Sequence, residues 1–436
     1  MKFISKKIFF RLHSWIGVQL SILFFIVCFS GTLATLSHEY DWVFFPEIRA
    51  VDNGQKASYN TMVSNIKKAY PNGRIASFFN PDETYLCNTV YVVSEKQLYY
   101  VFVNPYTGIV QGATTLTFHR FFRNLHYYLY IPFQVGNYTV LFFAFILFIS
   151  SGTALYFYKK WWKKLFELKR GKGKTVFYRS LHRLVGIWSV PFAILFSVTG
   201  IWYFVERANV GDVRKAISSP TPKVEMMSEN EQPTKIDSYT LDYDTAVRIA
   251  QQTIPNLTVK RISPPTNTKK PWYLNGKSTV ALVRNRANRV YLHPQTFEVL
   301  KVQEASKIST ITYINDIADP LHFGNWGGLL IKILWFIGGL ALSSLILTGI
   351  WIYIKRNSKG KNKKKKSKFW IYINWSVVAI LNFYMFTSLR IRYLASYNLL
   401  IVLGMCMLLF IFLTWYFFVK KMRHNPTQIK TASTKK

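Results

Sequence analysis

The segment Leu12-His13-Ser14-Trp15-Ile16-Gly17 opens a long apolar run that ends near Ser30-Gly31. A second copy, Leu181-His182-Arg183-Leu184-Val185-Gly186, begins 169 residues later and leads to Thr199-Gly200. In both copies a glycine follows the histidine by four residues, and a hydroxyl residue and a glycine follow it by 17 and 18. Eighteen residues return a straight α-helix to its starting face. The pattern therefore predicts a helix face that carries a histidine near one membrane surface and small residues where a flat ligand or a neighbouring helix can lie.

The composition indicates an integral membrane protein. Half of the 436 residues are hydrophobic, and they form long apolar blocks rather than short amphipathic elements. The formal net charge of +36 does not indicate nucleic acid binding, because the basic residues cluster beside apolar spans, where they orient a membrane protein. Three cysteines, Cys28, Cys87 and Cys406, have no CxxC spacing, which argues against a disulfide framework and a cysteine metal site.

Apolar spans and basic loops together predict the topology. Ten Lys or Arg residues between positions 159 and 183, against the single acid Glu167, place that loop in the cytoplasm. We predict an α-helical integral membrane protein with a four-helix pseudo-symmetric core, a C-terminal helical hairpin and two small α+β domains outside the bilayer. The expected segments are an N-terminal segment with the first span (1–36), a first outer domain (37–118), an outer histidine segment with the second span (119–158), a basic cytoplasmic loop (159–183), a third span (184–205), a second outer domain (206–316), another outer histidine segment with the fourth span (317–354), a polybasic cytoplasmic loop (355–368), a hairpin of two further spans (369–419) and a basic cytoplasmic tail (420–436).

The two halves of the chain repeat the same order of features. Each half has an inner Leu-His pair, a span, an outer domain, an outer Leu-His pair and a second span. These pairs contain His13 and His126 in the first half, and His182 and His322 in the second. Copies of an internal repeat normally pack about a pseudo-two-fold axis, here parallel to the membrane normal. The repeat therefore predicts that His13 faces His182 at the inner surface and that His126 faces His322 at the outer surface.

Two neutral imidazoles from different helices are a suitable axial ligand set for haem iron. Zinc would need three or four ligands close together, and no cysteine or acidic residue lies beside these histidines in the sequence. Structural packing and another metal remain alternatives, because an interfacial histidine is often a polar tip rather than a ligand. The basic residues that could bind haem propionates are Arg11, Arg123 and Arg183.

Two more histidines lie near the predicted outer site. His38 follows His13 by 25 residues, so both can lie on one face of a straight first helix. We interpret His38 as an alternative outer ligand or a propionate partner. His119 precedes His126 by one heptad, and we interpret it as an interfacial residue. No residue is assigned a catalytic role.

The outer domains resemble PepSY domains. The first ends in Tyr100-Val101-Phe102-Val103-Asn104-Pro105-Tyr106-Thr107-Gly108-Ile109-Val110, similar to a closing PepSY strand, a DPxTG-like turn and a strand. The second has an opening helix-like stretch from Tyr243 to Ala250, and its closing turn has His for Asp and Phe for Gly. Together with the Leu-His pairs and the glycines, residues 5 to 355 resemble the PepSY-associated transmembrane proteins, and the last hairpin lies outside this resemblance.

Members of this family include inner-membrane reductases that carry two b-type haems and release iron from ferric siderophores in the periplasm of Gram-negative bacteria. The resemblance implies such a haem-b electron-transfer protein here, with the four paired histidines as axial ligands and a ferric siderophore or other ferric chelate as substrate. A quinol or a cytoplasmic reductase would be the electron donor. The resemblance also implies a bacterial inner-membrane location with cytoplasmic termini and periplasmic PepSY domains. The alternative is a non-enzymatic, membrane-anchored PepSY module with an inhibitory, peptide-binding or regulatory role.

Overall fold

The computed structural model describes residues 6–224, 232–358, 369–414 and 416. It divides into two compact units. The helical unit comprises Met1–Thr32, Asn124–Ser197 and Ile337–Lys436, and the sheet unit comprises Leu33–Arg123 and Val198–Phe336. Most of the predicted polybasic loop 355–368, the predicted tail 420–436 and the predicted end of the last span lie outside the described residues.

The two halves of the chain contain the same order of helices and strands. The first half consists of α1 (Lys6–Gln19), α2 (Ser21–Thr35), α3 (Ser37–Phe44), α4 (Tyr59–Ala69), β1 (Arg74–Phe79), β2 (Asn88–Ser94), β3 (Gln97–Val103), β4 (Val110–Thr114), α5 (Phe118–Tyr128) and α6 (Phe133–Phe157). The second consists of α7 (Lys174–Trp188), α8 (Val190–Ala208), α9 (Val213–Ile217), α10 (Tyr243–Thr253), β5 (Thr258–Ser263), β6 (Trp272–Lys277), β7 (Asn288–Leu292), β8 (Val299–Gln303), α11 (Thr310–Phe323) and α12 (Gly328–Ser358). The helices α13 (Phe369–Arg392) and α14 (Tyr397–Thr414) follow.

Each inner histidine lies on a helix that ends before the hydroxyl residue and the glycine that follow it by 17 and 18 positions. The helices α1 and α2 meet at Leu20 with a bend of 74°, and α7 and α8 are separate helices that meet at Ser189. These two breaks are 169 positions apart, which is also the spacing of the two inner histidines. The sequence-based prediction of a continuous face from His13 to Gly31, and on to His38, was therefore wrong.

Local chemistry explains both breaks. The hydroxyl of Ser21 donates to the carbonyl of Val18 at 2.9 Å, and such a side-chain bond competes with the backbone ladder and bends a helix. In the second half, Pro191 has no N–H to donate to the preceding turn, so a helix is favoured to begin just before it. The hydroxyl of Ser189 also donates to Val185 O at 2.7 Å.

Three of the described helices are long and apolar enough to cross a membrane, namely Phe133–Phe157, Val190–Ala208 and Gly328–Arg356. The helices α1 and α2, which are bent against each other, would together be a fourth candidate if the pair forms one span. The candidate helix that corresponds to the predicted third span runs from Val190 to Ala208, and His182 lies on the separate helix before it. The predicted hairpin forms two helices, but α13 is not among these candidate spans, and Tyr397–Leu409 is a shorter apolar helix.

The strands of the two outer regions form a single antiparallel sheet. Its eight strands have the order β4-β3-β2-β1-β5-β6-β7-β8, and the halves join where Phe78 pairs with Ile262 and Phe79 pairs with Arg261. The sequence predicted two separate domains, and the structure instead merges their strands. The helices α4 and α10 share one apolar core with this sheet, and its buried side chains include Met62, Ile66, Phe78, Tyr243 and Trp272.

The helices α4 and α10 cap each other. The carboxylate of Asp244 accepts from the backbone N–H groups of Tyr59, at 2.8 Å, and Asn60, at 3.1 Å. In return, the side-chain oxygen of Asn60 accepts from the N–H of Tyr243 at 2.9 Å. The first N–H groups of a helix have no partner within it, so these bonds satisfy both helix ends and fix one copy against the other.

We predict that Asp244→Ala weakens the junction between the two copies of the repeat. The variant leaves the N–H groups of Tyr59 and Asn60 without an acceptor, at a cost of about 1–2 kcal/mol. The measurement is the thermal melting temperature of the purified protein. Glu298→Ala is the control, because Glu298 is an exposed acid in the turn before β8. Equal melting temperatures for the two variants would contradict this account of the junction.

Candidate functional site

The four histidines of the Leu-His pairs share one structural feature. Each uses ring nitrogen Nδ1 for a hydrogen bond with a helix other than its own. The partners are Ser150 O at 3.1 Å for His13, Thr348 Oγ1 at 2.8 Å for His182, Val27 O at 2.9 Å for His126 and Thr199 Oγ1 at 2.8 Å for His322. All four rings are half-buried. The neighbouring helix therefore fixes the orientation of each imidazole.

These partners also determine which ring nitrogen carries the proton. A backbone carbonyl only accepts, so Nδ1 is the protonated nitrogen that His13 and His126 present to Ser150 O and Val27 O. The hydroxyl of Thr348 donates its own proton to Ser344 O at 2.9 Å, so it accepts from His182. In a neutral imidazole with Nδ1 protonated, the lone pair is on Nε2. Metal-bound histidines show this same arrangement, because a bond at the second nitrogen orients the ring.

Glycines allow the helices to approach two of these rings. A Cβ atom on Gly31 would lie 2.7 Å from Cε1 of His126, which is closer than real side chains pack. A Cβ atom on Gly349 would lie 3.6 Å from Cε1 of His182, an ordinary contact. The glycine of α2 that the sequence pattern singled out therefore lies against the outer histidine of its own half, not in line with the inner one.

Open space lies beside the glycines that follow the inner histidines by one turn. A Cβ atom on Gly17 would meet no atom within 4 Å, and one on Gly186 would meet only Leu345, at 3.8 Å. Residues four apart lie on the same helix face, so these open surfaces adjoin His13 and His182. A flat ligand bound to either imidazole would find room there.

The helical unit contains both inner histidines. Burial lowers the pKa of His182, and the charges of His13 and Arg183 lower it further. The pairing of His13 with His182 stays a prediction from the repeat. His126 also belongs to the helical unit, whereas His322 belongs to the sheet unit. The pairing of these two outer histidines stays a prediction from the repeat.

The ring of His322 lies next to a network of charged side chains in the sheet unit. The ring of Tyr203 contacts it edge-on, with 5.4 Å between centroids. The hydroxyl of Tyr203 donates to Asp319 at 2.7 Å, and Asp319 forms an ion pair with Arg284 at 2.7 Å. Arg284 also lies 3.7 Å from Glu206. These contacts hold α8 and α11 together around the histidine.

The structure places His38 against a residue to which the sequence assigned no function. The rings of His38 and His119 stack at 4.0 Å between centroids, with 17° between their planes. His119 also forms a hydrogen bond with Ser37 Oγ at 2.9 Å. Burial, with the charges of His38, Arg123 and other nearby cations, holds the pKa of His119 well below its ordinary value. No sequence pattern signalled this contact, because His38 and His119 are separated by the strands of the first half.

A buried ion-pair cluster lies in the same unit. Lys332 is 6% exposed, and its ammonium group donates to Glu39 at 2.9 Å and to Glu83 at 2.8 Å. Burial raises the pKa of Glu83, but the hydrogen bond and charge of Lys332 outweigh it, so the pKa is lower than usual. The cluster ties the loop before β2 and the helix α3 to α12.

The three arginines proposed to bind propionates occupy different surroundings. Arg11 is exposed on α1, and Arg123 is exposed on α5. Arg183 is half-buried, donates to Arg179 O at 3.2 Å and lies over the ring of Tyr158 at 5.5 Å. Their role as propionate partners stays a prediction.

We predict that Gly31→Ala displaces the ring of His126 and breaks its bond with Val27 O. The added methyl group overpacks the contact, at a cost of about 1–3 kcal/mol. Thermal melting of the purified protein measures the effect. The control is Gly404→Ala in α14, where the nearest atom would be 4.0 Å away and where alanine favours the helix. Gly31→Ala should melt lower than the control, and the reverse order would refute the close contact.

Comparison with known proteins identifies the family. The family model described as the PepSY-associated TM region matches residues 10–356, which is most of the chain and covers both halves of the repeat. A comparison with curated proteins found no match. The resemblance predicted from the Leu-His pairs, the glycines and the closing turns is thereby confirmed, and the chain belongs to the PepSY-associated transmembrane family.

Proposed function

We propose that this protein is a transmembrane electron-transfer protein that contains haem b and reduces a ferric chelate on the periplasmic side of the bacterial inner membrane. One observation carries the proposal. His13 and His182 belong to the same unit, each has Nδ1 bonded to a neighbouring helix, and each keeps the lone pair of Nε2 available. Bound haem would supply one-electron transfer at its iron.

The donor set fits haem better than zinc. Axial ligation of a haem needs two protein ligands, whereas zinc needs three or four. Within the described ranges, no three His, Cys, Asp or Glu side chains are grouped so that they could hold a metal ion. The open surfaces beside Gly17 and Gly186 provide room for a planar group next to the two imidazoles.

The repeat extends the proposal to a second haem, held by His126 and His322 near the periplasmic surface. A quinol or a cytoplasmic reductase would supply electrons to the inner site. One electron converts Fe(III) in the chelate to Fe(II), which is softer and binds hard oxygen ligands less tightly, so the chelate releases its iron. His38 stays the proposed substitute ligand or propionate partner of this outer site, and its ring stacks on that of His119.

Absorption spectra of the purified protein, oxidised and dithionite-reduced, test this proposal. We expect a Soret band, and a pyridine haemochrome assay should count about two haems per chain. His13→Ala and His182→Ala should each remove one haem, because each deletes one axial ligand of the inner site. The control is His293→Ala, since His293 lies in the turn between β7 and β8 and its Nδ1 accepts from Gln295 N and Thr296 N.

Two results would overturn the proposal. One is the absence of a Soret band after expression with ample haem. The other is full haem content in both His13→Ala and His182→Ala, which would show that these imidazoles do not bind iron. Either result would favour the non-enzymatic role of a membrane-anchored PepSY module.

A further inference from the structure

The sheet has a second face that differs from the apolar one. The first face packs on α4 and α10 through Val290, Leu292 and similar side chains. Neighbouring residues of a strand point to opposite faces, so Arg289 and Tyr291 lie on the second face. None of the eight strands contains an aspartate or a glutamate. The strands therefore supply positive charge to this face and no negative charge.

Cross-strand register brings cationic and amide groups together in a row. Arg261 pairs with Asn275, Asn275 with Arg289, and Arg289 with Gln303. Two strand spacings separate the two arginines, which is about 10 Å between their backbones. Their long side chains can therefore reach one shared anion.

Arg289 is buried without a compensating charge. Its side chain is 9% exposed, and its Nε is buried with no hydrogen-bond partner. Within the part of the chain that the structure describes, no carboxylate lies within 4.0 Å of its guanidinium nitrogens. Elsewhere on the sheet, Lys260 and Lys277 both pair with Asp82. A buried, unpaired charge costs several kcal/mol, so it persists in a folded protein mainly where it has a use.

Arg261, on the same face, also lacks an acidic partner. Its guanidinium donates only to the hydroxyls of Ser263, at 3.1 Å, and Ser77, at 3.2 Å, among the described residues. It lies over the rings of Phe79, at 5.2 Å, and Tyr273, at 5.8 Å. These contacts orient the guanidinium but leave its charge uncompensated.

Two tyrosines add neutral donors beside the arginines. The hydroxyl of Tyr273 accepts from the amide of Asn275 at 2.8 Å, so its own proton remains available. The ring of Tyr291 packs 5.2 Å from that of Tyr273, which places a second phenol beside the first. Phenolic hydroxyls at this spacing can donate to carboxylate, catecholate or phosphate oxygens.

The row of side chains has a route to solvent. Gln303, the neighbour of Arg289 on β8, lines an open cleft of about 430 Å³ with Glu304, Lys307 and Thr312, and Glu304 pairs with Lys307. Arg261 and Tyr273 are themselves only half-buried. Arg261 and Tyr273 therefore give the row its contact with solvent, and Gln303 connects it to the cleft.

We propose that this arginine face, formed by Arg261, Tyr273, Asn275, Arg289, Tyr291 and Gln303, binds a ferric chelate of net negative charge. Two guanidiniums recognise carboxylate or catecholate oxygens by charge-assisted bonds, and the tyrosines flank the planar parts of the chelate. The identity of the anion as a ferric chelate rests on the proposed function, whereas the anion site rests on the sheet alone.

Gallium(III) citrate tests the site because gallium mimics ferric iron but is not reduced, so binding does not depend on haem. Calorimetric titration of the purified full-length protein should show binding of gallium(III) citrate and weaker binding of the neutral gallium tris(acetohydroxamate). Arg289→Met should weaken binding of the citrate complex roughly tenfold or more. Arg289→Lys should bind the citrate complex more weakly than the unmodified protein does and more tightly than Arg289→Met does, because lysine keeps the charge but not the planar fork.

The control is Arg248→Met, since Arg248 is exposed on α10 and contacts only Gln252 among the described residues. It should bind gallium(III) citrate as the unmodified protein does. Melting temperature supplies a second readout. Without added anion, Arg289→Met should melt at the same temperature as the unmodified protein or higher, because it removes an unpaired buried charge.

Two results would overturn the anion site. They are a failure of the unmodified protein to bind gallium(III) citrate and equal binding of gallium(III) citrate by Arg289→Met. These failures are distinct from failure of the haem proposal. A chain with no Soret band but Arg289-dependent binding of gallium(III) citrate would refute the haem and keep the anion site.

Discussion

The hydrogen bond from a histidine Nδ1 to a neighbouring helix is the interaction on which the candidate site depends. An imidazole among apolar helices must satisfy its N–H, and the nearest acceptors are helix carbonyls and hydroxyls. His13 reaches Ser150, and His182 reaches Thr348. Each bond fixes the ring and the tautomer at once, and it directs the free lone pair away from the supporting helix. Histidines that bind metals have this same arrangement.

Helix breaks determine where these histidines lie. If α1 continued straight into α2, or α7 into α8, each inner histidine would lie on the same straight helix as the span that follows it. Instead, a serine bond near Leu20 and Pro191 after Ser189 separate the short histidine helices from the spans. Gly31 is then free to pack against His126, the outer histidine of its own half. Both halves contain the break as well as the histidine, so the order of helices around each inner histidine is the same in the two halves.

The sheet unit shows how the same duplication can produce two unlike faces. One face and the helices α4 and α10 form a shared apolar core, and mutual capping by Asp244 and Asn60 holds the two copies together. The other face contains no acid from any strand, and the second copy adds Arg261 and Arg289 there. The two copies therefore share their apolar pattern but differ in charge. A substrate site can develop on the charged face without disturbing the core.

The sequence by itself determined the features that a short stretch of residues encodes. Apolar runs predicted spans at about 138–158 and 329–354, which overlap two of the candidate membrane helices, and the Leu-His pairs with the closing turns predicted the family. It could not determine the bends, because helical periodicity is the same on both sides of a break and the decisive contact is a single side-chain bond. Nor could it predict that β1 pairs with β5, since this pairing joins segments almost two hundred residues apart. The stacking of His119 on His38 and the isolation of Arg289 likewise depend on which distant residues surround each side chain, and only the tertiary structure decides that.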